Sequence, residues 1–142
     1  MKRNTFDSRK AAQAVARELD KRLDRVAIFI VNGIVASFGS APPEPKRGGG
    51  FKRNSSKAWK RAHPSRPYFP PNIQTGHLKR NIGYDTPSPL VRRIGTGIGN
   101  KQSVGYAMAL EFGTRRMLPR PFLRPAMAAA KPYIGRFLRG DL

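Results

Sequence analysis

Apolar residues in the first forty positions recur every three or four places, which is the repeat of one face of a helix. The series runs through Val15, Leu19, Leu23, Val26, Ile30, Ile34 and Phe38. Thr5 and Asp7 are both candidate N-caps, because a short side-chain oxygen can accept hydrogen bonds from the free amides of a first turn. Gly39 ends the pattern, and two prolines follow soon after it. The sequence therefore predicts one long N-terminal helix that stops before Gly39.

The second half of this helix has a different character from the first. Residues 26–38 are apolar almost all round, although Asn32 and Gly33 interrupt the run. We expect this half to be buried on most sides, either in its own core or between subunits. A run of 13 residues is too short to span a bilayer, so we expect no membrane partner.

Residues 39–72 show neither a helical nor a strand period. They contain seven prolines, four glycines and eight basic residues against one acidic residue. This composition predicts a basic, Pro/Gly-rich loop or arm. Four aromatic residues interleave with its cations: Phe51, Trp59, Tyr68 and Phe69. They can stack on nucleic-acid bases while the cations hold phosphates, or they can anchor the arm on a neighbouring protein, and the sequence leaves both interpretations open.

The rest of the chain is built from short elements. Thr75 and Gly76 open a short helix, residues 85–89 have turn chemistry, and residues 90–94 favour a strand. We place a small antiparallel sheet over residues 82–118. Together with the long N-terminal helix and a C-terminal helix described below, this sheet predicts the α+β fold class in a single domain, residues 1–142.

Two more helices are predicted in the second half of the chain. Residues 106–112 form a short one that Gly113 ends, and Pro125 suits the first turn of the last one. The apolar face of the last helix is predicted to comprise Leu123, Met127, Ala130, Ile134 and Phe137. We expect Phe112 and Phe122 to enter the core on either side of the loop between these helices.

Charge is the strongest compositional signal. The chain has 28 Lys and Arg against 8 Asp and Glu, giving a net charge of +20. Such a field favours polyanions and acidic protein surfaces. Cysteine is absent, which excludes disulfides and thiolate chemistry, and His63 and His77 lack a catalytic arrangement of neighbours. We therefore expect no enzymatic activity, no cofactor and no metal.

Two motifs resemble a known family. Residues 106–126 contain Tyr-Ala, then Glu-Phe-Gly-Thr, a short loop, and Pro-Phe-Leu-Arg-Pro-Ala. This pattern resembles the signature of the neck proteins of long-tailed bacteriophages, which are head–tail joining or tail-completion proteins. Residues 75–82, Thr-Gly-His-Leu-Lys-Arg-Asn-Ile, are similar to a second element of that family. Residues 46–72 look inserted relative to the family, and Asn81 replaces its usual serine.

The resemblance implies a structural protein of the virion neck that is made in the host cytoplasm. Copies of the chain would form a ring, six-fold or twelve-fold, around the DNA channel between the portal side of the head and the tail. The implied partners are neighbouring neck, adaptor or tail-terminator proteins, with channel DNA as a further contact. The motif residues are Thr75, Gly76, Leu78, Tyr106, Glu111, Phe112, Gly113, Pro121, Phe122 and Pro125.

The loop after Gly113 is the predicted docking element. Glu111 is a lone acid near four arginines, and an ion pair with one of them would fix the loop. Those arginines are Arg115, Arg116, Arg120 and Arg124. The predicted interface comprises Arg115, Arg116, Met117 and Arg120 in the loop, with Trp59, Tyr68 and Phe69 in the arm. The loop can equally serve the fold alone, and the alternative function is a small basic nucleic-acid-binding protein that acts through residues 39–72.

Overall fold

The computed structural model describes residues 7–40, 65–99 and 101–141. Its elements are α1 (Ser8–Ser37), α2 (His77–Asn81), β1 (Ile82–Ser88), β2 (Val91–Thr96), α3 (Ala107–Phe112) and α4 (Leu123–Arg139). The predicted α+β class is confirmed, with a long N-terminal helix, a small antiparallel sheet and a C-terminal helix. Trp59, Phe51 and residues 41–64 of the predicted arm lie outside the described residues.

Helix α1 begins and ends where its local chemistry indicates. The Asp7 carboxylate accepts hydrogen bonds from the backbone amides of Arg9 and Lys10, at 3.2 and 3.3 Å. Asp7 is therefore the N-cap. At the other end, Gly39 has a φ of +83°, a conformation that favours glycine and turns the chain out of the helix.

The core lies along one stripe of α1. Its buried residues are Val26, Ile30, Ile34, Phe38, Leu78, Ile82, Val104, Ala107, Phe122 and Ala130. Within the described residues the chain's own core does not bury the second half of α1 on most sides, because Ile28 and Phe29 are 46% and 40% exposed. Burial of this half between subunits stays a prediction. Helix α4 and the β-hairpin pack on α1 from the core side, so the far side of the helix remains open within the described residues.

The sheet is a single hairpin. Strands β1 and β2 pair antiparallel, with Ile82 opposite Thr96 and Asp85 opposite Arg93. The prediction of a sheet reaching residue 118 is wrong: the sheet ends at Thr96, and beyond it the described part of the range holds only an isolated bridge between Thr114 and Met117. Residues 85–88 are strand, not turn as predicted, because Asp85 pairs with Arg93 and Ser88 pairs with Val91, with an irregular register between them. Asp85 and Arg93 also form an ion pair, with N···O at 2.6 Å. The turn instead includes Leu90, whose φ is +60°.

A buried arginine fastens the hairpin to α1. The Arg92 guanidinium contacts Asp24 at 2.7 Å and Asp20 at 3.1 Å, and its side chain is only 7% exposed. The backbone amide of Leu90 also donates to the Asp20 carboxylate, at 2.8 Å. These contacts turn two of the acidic residues of α1 towards β2.

Helix α4 runs without a break through Pro132 to Arg139. Met127, which the spacing predicts on its apolar face, is 43% exposed, so that prediction is wrong. Ala126 packs against the core in its place, which gives a stripe of Leu123, Ala126, Ala130, Ile134 and Phe137. The C-terminal end of α4 is tied to α1 by the Arg22 guanidinium, which donates to the Leu138 carbonyl at 2.7 Å.

Candidate functional site

Glu111 joins the two halves of the longer motif, residues 106–126, by linking α3 to the start of α4. It lies on α3, its residue is 3% exposed, and its carboxylate accepts hydrogen bonds from three consecutive backbone amides. These amides belong to Phe122, Leu123 and Arg124, at 2.8, 3.0 and 3.0 Å. Three free amides at the start of α4 are thus satisfied by a side chain from another helix.

The ion pair expected of Glu111 is confirmed, and its partner is Arg124, with Nε and Oε1 3.2 Å apart. The cap on α4 was not predicted from the sequence. One signal was available: the Pro-Phe-Leu-Arg-Pro segment has no Ser, Thr, Asp or Asn just before the helix. A helix start without its own capping residue needs an acceptor from elsewhere.

The environment of Glu111 keeps its carboxylate ionised. Desolvation of the buried carboxylate, acting alone, would raise the pKa of Glu111. The backbone amides of the α4 terminus and the Arg124 side chain favour the charged form and outweigh the burial, so the pKa lies below its ordinary value. The ionised carboxylate is therefore the state that holds the loop and α4 together.

A tight turn, residues 114–117, follows α3 in the chain. The amide of Thr114 donates to the Met117 carbonyl at 2.8 Å, and the amide of Met117 donates back at 3.2 Å. Arg115 and Arg116 occupy the tip of this turn and are both exposed. The structure thus presents two cations outward on a loop whose base is fixed.

The backbone conformation and the close packing at position 113 require glycine. Its φ is +79°, and an added Cβ would lie 2.9 Å from the Met117 carbonyl oxygen. We expect Gly113→Ala to lower the free energy of unfolding by about 1–3 kcal/mol, as measured by denaturant titration. Gly105→Ala is the matched control, since nothing lies within 4 Å of the added Cβ there. Equal stability of the two variants would contradict the described turn.

The two phenylalanines of the motif differ in burial. Phe122 is 1% exposed, and its ring centroid lies 5.5 Å from that of Phe38. Phe112 is 63% exposed, so its predicted burial is wrong. Glu111 faces inward on α3, and the next residue lies about 100° further round the helix and therefore faces out. The Arg124 guanidinium covers one face of the Phe112 ring, 4.8 Å from its centroid.

Both motifs line one groove, which has a volume of about 600 Å³. The shorter motif contributes Thr75, Gly76, His77, Leu78 and Lys79. The longer motif contributes Tyr106, Leu110, Met117 and Arg120. Phe38 and Ile73 add apolar surface, so the groove combines an apolar lining with cationic side chains.

Residues 65–72, the last part of the predicted arm, form another wall of this groove. The Arg120 Nε donates to the Ser65 carbonyl at 2.8 Å, and the Tyr68 amide donates to the Pro119 carbonyl at 2.7 Å. Arg120, predicted as an interface residue, thus also holds this segment on the body of the chain. Tyr68 and Phe69 project from the segment and are 66% and 44% exposed.

No family model, curated protein or solved structure matches this chain. Within residues 7–40, 65–99 and 101–141, no group of three or more His, Cys, Asp or Glu side chains is placed to hold a metal ion. In those same ranges, no helix is both long and apolar enough to cross a membrane. The features that bear on function are therefore the groove, the turn beside it and the motif resemblance.

Proposed function

We propose that the chain is a structural component of a bacteriophage virion neck. It joins the head, on its portal side, to the tail by forming a ring around the DNA channel. One observation carries the proposal: the two motifs that resemble neck proteins, residues 75–82 and 106–126, line the same groove. Their convergence supports the interpretation that both belong to one functional surface.

The groove suits a protein partner. Its lining is mainly apolar, while Arg115 and Arg116 stand on the adjoining turn. Phe112 and Leu118, 63% and 54% exposed, add apolar anchors beside these cations. Apolar anchors give an interface its affinity, and complementary charge gives it orientation. The partner surface is therefore apolar at its centre and acidic at its rim.

A ring also requires a second, different patch on each subunit. Helices α1 and α4 form a mostly apolar seam, defined by Phe29, Gly33, Ala126, Ala129 and Tyr133. The rings of Phe29 and Tyr133 lie 5.6 Å apart, and both are at least 40% exposed. The lining residues of the seam are distinct from those of the groove. Two unlike patches support a head-to-tail ring.

The turn offers a direct test of docking. We expect Arg115→Glu combined with Arg116→Glu to leave a folded, soluble subunit and to block head–tail joining, because both side chains are exposed and outside the core. The measurement is the infectious yield of the phage that carries the gene, together with electron-microscopic counts of unjoined heads and tails.

Arg9→Glu combined with Lys10→Glu is the control, since it makes the same charge change at two exposed neighbours in the first turn of α1. Melting curves show whether both double variants stay folded. A normal yield from the turn variant would remove the turn from the interface. Complete virions formed without the chain would overturn the proposed function itself.

A further inference from the structure

The outer face of α1 carries a row of cations. Arg17, Lys21 and Arg25 follow one another at intervals of four residues, and all three are exposed. With 3.6 residues per turn, successive members lie about 40° apart and rise by about 6 Å. The buried residues Ile30 and Ile34 lie on the opposite face of the helix. We call the three cations the basic stripe.

The acids of α1 do not neutralise this stripe. Glu18 pairs with Arg22 at 3.2 Å, while Asp20 and Asp24 pair with Arg92 of β2. Across the part of the chain that the structure describes, the side chains of the basic stripe form no ion pair or hydrogen bond with a protein group. The fold thus places two of the three acids of α1 against the hairpin and leaves three cations on the open side of the helix.

We propose that the basic stripe binds the phosphate backbone of duplex DNA. Its three charges span about 12 Å along the helix axis. One DNA strand carries a phosphate for about every 3.4 Å of its axis, so the stripe covers roughly three or four phosphates. Lys and Arg side chains in such a row bind backbone without reading sequence. The net charge of +20 steers the chain towards such a polyanion.

The surroundings of the stripe favour DNA over an acidic protein. Interfaces between proteins depend on aromatic or aliphatic anchors at their centre. On this face the exposed residues before Arg17 are Lys10, Gln13 and Ala14, which offer no such anchor, and the apolar Ile28 lies beyond the end of the stripe. DNA binding here is a property of the free chain and goes beyond the neck function, so either can fail without the other.

The test compares two triple variants that remove the same charge. Arg17→Gln, Lys21→Gln and Arg25→Gln remove the stripe. Lys101→Gln, Lys131→Gln and Arg136→Gln remove three exposed cations elsewhere. Glutamine is a good helix former, so the stripe variant should keep α1 intact, and a melting curve checks this. The measurement is the affinity of the free chain for an arbitrary DNA duplex over a series of salt concentrations.

We expect loss of the stripe to reduce the slope of log affinity against log salt by about 2 to 3, since each lost phosphate contact accounts for about 0.9. The control triple should change the slope by less than about 1. Equal changes in both triples, or an unchanged slope in the stripe variant, would overturn the proposal. So would a stripe variant that binds DNA normally but no longer binds polyglutamate, since that result would assign the stripe to an acidic protein.

Discussion

Phe122→Ala is expected to lower the free energy of unfolding by about 3–5 kcal/mol. The side chain is among the most deeply buried that the structure describes, at 1% exposure, and its ring packs against Phe38 of α1. Truncation removes the ring from the point where α1 meets the start of α4, and the helices cannot close the cavity without shifting. Denaturant titration of the purified chain measures the loss.

Phe112→Ala is the matched control, because it makes the same truncation in the same motif at a residue that is 63% exposed. It forfeits only the contact with the Arg124 guanidinium, which is expected to cost about 1 kcal/mol or less. Similar losses in the two variants would contradict the opposite placement of the two rings.

Glu111→Gln is expected to lower the free energy of unfolding by about 2–4 kcal/mol at neutral pH. The glutamine side chain has the same shape as glutamate but carries no charge. The Glu111 carboxylate accepts hydrogen bonds from four N–H groups, and in the variant an NH₂ group, itself a donor, would face some of these donors. Glu18→Gln is the control. Its carboxylate pairs with Arg22 on a half-exposed surface, so its loss is expected to cost about 0.5 kcal/mol.

The pH dependence of the Glu111 variant has a definite sign. Hydrogen bonds to the charged form keep the pKa of Glu111 below its ordinary value in the folded chain. The unfolded chain therefore binds the proton more readily, and the stabilisation by Glu111 is complete above the ordinary carboxyl pKa. It is lost as the pH falls through the lowered pKa. The stability difference between the native chain and Glu111→Gln should shrink in acid, and a constant difference would contradict an ionised Glu111.

Structural features that depend on residues close together in the sequence could be predicted. The spacing of apolar residues gives the length of α1, and Asp7 and Gly39 mark its ends through capping chemistry and positive φ. The end of α3 at Gly113 follows in the same way. An ion pair between Glu111 and one of four nearby arginines could also be predicted, although only the structure identifies Arg124, 13 residues further along the chain, as the partner.

Features set by distant contacts could not be predicted. The pairing of Arg92 with Asp24 joins residues 68 positions apart, and no local pattern selects it among the many ion pairs a basic chain allows. The orientation of Phe112 depends on Glu111 facing α4, which the periodicity of a six-residue helix cannot specify. The groove exists only because the two motifs meet, so its lining could be described only from the structure.

An electron-microscopy map of the assembled particle decides whether this chain is a neck protein. We expect a closed ring of the chain between the portal and the tail, in which a neighbouring protein covers the turn of Arg115 and Arg116 and the groove beside it. A complete neck whose rings contain no density for this chain would contradict the proposed function.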